Sequence, residues 1–130
     1  MRGYKKRFGA EGEAIAQNIY IKRGFKILEQ NFFNRKGKSL GEVDFIAARD
    51  KDIRFVEVKT RASSRFGDPA EAITFQKKAR LSRAIRFFLF KMPEYHSYKL
   101  HLDVVTIQIC GVDKRAIKVK IYSDAMVDKH

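Results

Sequence analysis

Leu40-Gly41-Glu42-Val43-Asp44-Phe45-Ile46-Ala47-Ala48, then Arg49-Asp50-Lys51-Asp52, then Ile53-Arg54-Phe55-Val56-Glu57-Val58-Lys59-Thr60-Arg61: this run decides the fold. Two apolar stretches rich in β-branched and aromatic residues flank a short charged tip, a pattern that predicts a β-hairpin. Side chains alternate faces along a strand. Phe55, Glu57 and Lys59 therefore share one face, and Val56 and Val58 the other. On the preceding strand Glu42, Asp44 and Ile46 share a face, and antiparallel pairing brings Asp44 to the same side of the sheet as Glu57 and Lys59. Charges inside such runs are costly to bury unless they pair or hold a metal. They mark the hairpin as a place for chemistry as well as for core.

Outward from the hairpin, Gly9 to Arg23 is expected to be a helix, with Ala10, Ala14, Ile15, Asn18 and Ile19 as its stripe and Gly24 as its C-cap. Phe25 to Phe33 reads as a first strand, and Asn34 to Ser39 as a basic, turn-rich loop. After the hairpin, Ala62 to Ala72 carries turn residues and Thr74 suits an N-cap. Leu81, Ala84, Ile85, Phe88 and Leu89 then follow a helical stripe that Pro93 must end. The opposite face carries Lys77, Lys78, Arg80, Arg83 and Arg86 with no acid among them, and like charges three residues apart repel unless a polyanion relieves them. Lys99 to Cys110 and Ala116 to Tyr122 read as strands about a turn at Gly111–Lys114, and Ser123 to His130 as a frayed tail. The order αβββαββ makes one mixed α/β domain over residues 1–130.

The length suits a single core. An apolar fraction of 45% excludes a disordered chain. The formal net charge of +13 makes a polyanion the first partner to consider, nucleic acid before an anionic membrane surface, with plain solubility as the bland alternative. Cys110 is the only cysteine, so no internal disulfide can form, which fits a reducing cytoplasm. The basic start is followed by no long apolar run, so it is not a secretory signal, and Phe87–Phe90 is too short to cross a bilayer. No membrane partner is expected.

Asp44 and Glu57 are the natural ligands for a hard divalent cation, Mg²⁺ or Mn²⁺, and the Val58 carbonyl can add a third oxygen. Such an ion would offset the repulsion between the carboxylates and acidify a water. Lys59 could orient that water or stabilise charge on a phosphate. These are the parts of metal-assisted phosphodiester hydrolysis. A Glu57–Lys59 ion pair is the structural alternative. His96, His101 and His130 lack a zinc spacing, no phosphate-cradling glycine loop is present, and His101 on a strand reads as structural.

Gly12-Glu13-x-x-Ala16, Gly41-Glu42-Val43-Asp44-Phe45-Ile46-Ala47, Phe55-Val56-Glu57-Val58-Lys59-Thr60-Arg61 and Leu102-Asp103-Val104-Val105 together resemble the small bacterial family called YraN-like, or UPF0102. That family is grouped with the PD-(D/E)xK nucleases and is similar to archaeal Holliday junction resolvases. The likeness covers roughly residues 8 to 110. It implies a restriction-endonuclease-like fold, a central mixed sheet flanked by helices. It also implies that Asp44, Glu57 and Lys59 are the catalytic residues of a Mg²⁺- or Mn²⁺-dependent hydrolase, an endonuclease. Glu13 is implied as a further metal ligand, and Gln76 or Lys77 as a polar neighbour of the site. The proline that names the superfamily motif is absent, and Val43 stands before Asp44.

The expected substrate is DNA, branched or damaged, with phosphates held by Arg35, Lys36, Lys38, Arg61, Lys77, Lys78, Arg80, Arg83 and Arg86 and with no base readout. The resolvase likeness suggests a homodimer whose two sites cut two strands. Two other readings stand beside this one: a catalytically inactive nucleic-acid-binding module of the same fold, and a basic protein that docks on RNA.

Overall fold

The computed structural model describes residues 2–32, 43–61, 75–110 and 116–124. Helix α1 spans Arg2–Lys22. Strands β1 (Lys26–Phe32), β2 (Val43–Arg49) and β3 (Asp52–Arg61) follow, then helix α2 (Phe75–Lys91), a 3₁₀ turn (Pro93–Tyr95), and strands β4 (Lys99–Cys110) and β5 (Ala116–Tyr122). The strands form one sheet in chain order. β1–β2, β2–β3 and β4–β5 are antiparallel, and β3–β4 is parallel over ten residue pairs, Asp52↔Lys99 to Arg61↔Gln108. A parallel neighbour needs a crossover, and α2 is that crossover. The order αβββαββ and the mixed sheet are those expected of a restriction-endonuclease-like fold.

From Phe45 onward the period-two reading of the hairpin accounts for both cores, but Val43, which alternation sets beside Phe45 and Ala47, packs instead with Ile46 on the other side, so the alternation of β2 breaks at Asp44. Phe45, Ala47 and Val56 face one side with Val105 and Ile107 and pack under Ala16 and Tyr20 of α1. Ile46, Ile53, Phe55 and Leu102 face the other and pack under Leu81, Ala84 and Phe88 of α2. Phe88 meets Phe55 edge-on, with centroids 5.6 Å apart. The hairpin turns through Asp50-Lys51, and Asp50 takes the positive φ, 56°, that a two-residue loop demands and that Asp tolerates.

α1 ends where the glycine requires. Gly24 has φ 91°, its N–H donates to the Ile21 carbonyl at 3.0 Å, and the Phe25 N–H donates to that of Tyr20 at 3.0 Å. This is a Schellman closure, with the Phe25 ring against Tyr20 as its apolar contact, centroids 5.2 Å apart. The helix begins seven residues earlier than the apolar stripe predicts. The basic residues ahead of Gly9 are good helix formers, and one interior glycine costs only about 1 kcal/mol. β1 is irregular between Ile27 and Glu29, where its register with β2 shifts. Thr74 and the turn at 111–114 lie outside the described residues.

The α1 side holds one buried carboxylate. Asp103 is 1% exposed in an otherwise apolar stretch of β4. Tyr20 Oη donates to its Oδ2 at 2.7 Å, Arg54 Nη1 to its Oδ1 at 2.9 Å, and the Asp124 N–H to Oδ1 at 3.4 Å. α1, β3, β4 and the end of β5 thus meet on one charge. Beside it, His101 Nδ1 lies 2.5 Å from Asp124 Oδ1 and Nε2 lies 2.9 Å from Asp52 Oδ1. Within the tail expected to fray, Asp124 is therefore anchored, whereas 125–130 lie outside the described residues.

Burial, and then the Asp103 charge and its hydrogen bond, push the Tyr20 phenol far above its usual value, so it acts as a donor throughout the folded range. Tyr20→Phe should cost about 1.5–3 kcal/mol in denaturant unfolding, the worth of a hydrogen bond to a charged group. An unchanged midpoint would show that Arg54 alone suffices for Asp103.

The hydrogen bond with His101, outweighing the opposing effect of desolvation, holds the Asp52 carboxyl below its ordinary 3.8. A depressed carboxylate stabilises the fold above its unfolded value and loses that contribution as pH falls through the folded value. The stability gap between the wild type and Asp52→Asn should therefore shrink below about pH 4 in acid titrations followed by circular dichroism. A gap that widens there contradicts this assignment.

Candidate active site

β2 and β3 pair from Arg49↔Asp52 to Phe45↔Val56. Beyond that last pair the side chain takes over from the ladder: the Val58 amide N–H donates to Asp44 Oδ2 at 2.6 Å. This bond fixes the Asp44 carboxylate beside β3. The N–H and C=O of one strand residue point to the same side, so the Val58 carbonyl also faces β2. Glu57 is buried, at 8% exposure, and its Oε1 lies 3.6 Å from Lys59 Nζ. Asp44 and Lys59 are half-buried.

Alternation along β3 sets Glu57 and Lys59 apart from the α1 core and on the side that α2 covers, beyond Phe55. Asp44 is tied to the same strand segment through the Val58 amide, so two acids and one ammonium come together where the apolar runs of both strands give out. Oxygen donors from two acids and a main-chain carbonyl suit a hard divalent cation, which ordinarily keeps several waters beside one or two protein carboxylates. The donor set fits Mg²⁺ or Mn²⁺.

Glu13 comes from the other direction. Its helix covers the opposite face of the sheet, and among the described residues no group of three or more His, Cys, Asp or Glu side chains gathers as a metal cluster. What brings Glu13 to β3 at all is its neighbour. Gly12 is buried, and a Cβ on it would lie 1.9 Å from Thr60 Oγ1 and 3.2 Å from Thr60 Cβ. The helix approaches β3 closely because that position has no side chain.

Arg80, Arg83 and Arg86 are exposed on α2, on the side away from Leu81, Ala84 and Phe88. Arg35, Lys36 and Lys38 lie outside the described residues, as do the side chains of Arg61, Gln76, Lys77 and Lys78. The Asp103 network was not singled out from sequence spacing, whereas His101, read there as structural, lies between Asp124 and Asp52. The signal was present: Asp103 is a charge in an apolar strand, as Asp44 is.

The sequence profile described as Uncharacterised protein family UPF0102 matches residues 12–107. A UPF0102 protein of Caldicellulosiruptor bescii is 39% identical over 120 residues, 92% of this chain and 97% of the relative. One of Clostridium perfringens is 34% identical over 125 residues, 96% and 98% of the two chains. One of Syntrophomonas wolfei is 40% identical over 104 residues, 80% and 86%. The profile takes in both acidic strands and the helix segment from Gly12 onward.

Helix propensity alone says that Gly12→Ala stabilises α1 by about 1 kcal/mol. The contact with Thr60 says the reverse: the variant should melt lower than wild type, and its coupling to Thr60→Ala in a double-mutant cycle should reach about 1 kcal/mol. A higher melting temperature for Gly12→Ala would show that the helix does not press on β3.

Proposed function

We infer that this chain, which belongs to the UPF0102 family, is a metal-dependent endonuclease that hydrolyses DNA phosphodiester bonds, with branched or damaged DNA as its preferred substrate. One observation carries the reading: the Asp44 carboxylate accepts from the Val58 amide N–H at 2.6 Å, between Glu57 and Lys59, whose side-chain charges lie 3.6 Å apart. A core has no need of three ionisable groups there. Asp44, Glu57 and the Val58 carbonyl would hold the cation, with Glu13 as the ligand that the family likeness adds. When bound, the cation supplies positive charge against the phosphate and acidity to a water.

The remaining work falls to the chain. The Val58 amide N–H aims the Asp44 carboxylate. Lys59 orients the attacking water, or donates to a non-bridging phosphate oxygen as negative charge builds on it. The new P–O bond forms from that water as the ester P–O bond breaks, and a proton passes to the leaving oxygen. The arginines of α2 hold phosphates without reading bases, so selection is by shape.

One observation favours a second reading. Lys59 already neutralises Glu57, and no larger acidic cluster gathers among the described residues. A binding module that retains the fold without turnover would look the same.

Incubation with labelled junction, flap, duplex and single-stranded DNA separates the two. With Mn²⁺, cleavage is expected in wild type, a loss of 10²-fold or more, as order of magnitude, in Asp44→Asn and Lys59→Ala, and binding retained in both. Binding of every DNA with cleavage of none leaves the module, and RNA that outcompetes every DNA moves the ligand class.

Salt reports on the basic face. If about six phosphates are neutralised, affinity should fall by roughly 10³ between 50 and 200 mM salt. Replacing Arg80, Arg83 and Arg86 together by Ala should lower the log–log slope by about 2.7. A flat slope in the wild type would make that face a solvated surface only.

A further inference from the structure

Phe90 has no structural reason to be aromatic. It is 82% exposed, against 52% for Ile21 and 48% for Ile117, the next most exposed large apolar side chains among the described residues. At about 100° per residue, Phe90 lies some 160° from Phe88 and 180° from Leu81, as far from the buried stripe as a helix allows. The same rotation sets it about 20° from Arg83, two turns back along α2, and about 40° from Arg86, one turn back. Both arginines are exposed, and neither has an acidic partner among the described residues. The outermost line of α2 thus reads Arg83, Arg86, Phe90.

Isolated exposed hydrophobics are common and need no explanation. This one is set apart by its neighbours. A second copy of the chain packing on Phe90 would bring each copy's Arg83 and Arg86 towards the other's, and like charges oppose that contact. An apolar peptide would leave the guanidinium groups without a counter-charge. A nucleotide satisfies both features, because its base has an apolar π-face for the ring and its phosphate an anion for the arginines.

We propose that Phe90, with Arg83 and Arg86, forms a platform on which an unpaired nucleobase stacks, so that the chain takes DNA carrying single-stranded positions over continuous duplex. In a duplex the faces of the bases are covered by their neighbours, so an exposed phenyl ring has nothing to stack on. α2 covers the sheet face of Ile53 and Phe55, on which alternation also places Glu57 and Lys59, so a strand held on α2 is on the side of these two candidate active-site residues. The proposal rests on the reading that DNA is the ligand, and names the feature of the DNA that is selected.

The chain has no tryptophan, so Phe90→Trp places a single indole emitter at the platform. In chelator, so that nothing is cut, the full-length variant is titrated with a 15-nucleotide oligothymidylate, with a blunt duplex of equal length, and with that duplex bearing a 5′ flap. The expected result is saturable quenching by the oligothymidylate and the flap, and duplex binding, followed by anisotropy of a labelled strand, without quenching. Phe90→Ala should weaken oligothymidylate and flap by roughly 5- to 100-fold and leave the duplex within about twofold. Equal weakening for all three DNAs, or none for any, overturns the platform while leaving DNA as the ligand. Failure of the wild type to bind any DNA sinks the DNA reading and the platform with it. Self-association in sedimentation that is abolished by Phe90→Ala overturns the proposal in favour of a second copy.

Discussion

A single buried carboxylate sets the geometry of the molecule. Asp103 is nearly inaccessible, and an ionised acid in such a place costs several kcal/mol unless charge and hydrogen bonds compensate it. The compensation is drawn from separate parts of the chain: a phenol from the last turns of α1, a guanidinium from β3 and a backbone amide after β5. Each group must be in place for the others to be tolerated, so the network fixes how α1 lies across the sheet. The Gly24 closure delivers Tyr20 there by ending the helix and turning Phe25 back onto it. Arg54 is held in turn near the Phe25 ring, its guanidinium carbon 6.0 Å from the centroid.

The same strand carries two unlike charged regions. Towards its start, Arg54 and Asp52 belong to closed networks on the α1 side. Towards its end, Glu57 and Lys59 face the α2 side, and the opposing strand's Asp44 is held on the Val58 amide between them. Three positions separate Arg54 from Glu57, about 10 Å of extended chain. In the first region the acid is matched by donors from three elements. In the second, two acids meet one ammonium. The first is a staple. The second is the place where an added cation would complete the charge balance.

Charge elsewhere follows the layers. The apolar stripe of α2 closes one core through Leu81, Ala84 and Phe88, and its exposed surface gathers Arg80 on the flank with Arg83 and Arg86 on the outer line. Such a helix repels itself along that line, and its fold is secured by the buried stripe rather than by its surface. That surface is the one on which the proposed function seats phosphates. No described helix is long and apolar enough to cross a membrane.

The periods in the sequence determined the elements. Alternation in residues 43–61 determined a hairpin and its two faces, because strand side chains repeat every two residues whatever they pack on. The stripe from Leu81 to Leu89 determined a helix that Pro93 had to end, and the observed limit is Lys91. The same alternation placed Glu57 and Lys59 on one face of β3. Tertiary structure alone decided the rest. Alternation did not foresee Val43 joining Ile46 in one core, and the Asp44 carboxylate takes the Val58 amide beyond the last β2–β3 pair, since register depends on turn geometry and on what each face buries. The closeness of α1 to β3 hangs on Gly12 meeting Thr60, a contact between residues 48 positions apart. Asp103 finds Tyr20 across 83 positions and Arg54 across 49, and no local pattern encodes a partner at that distance. Local sequence fixes which way a side chain points along its own element, whereas its partner is fixed by which elements the core brings together.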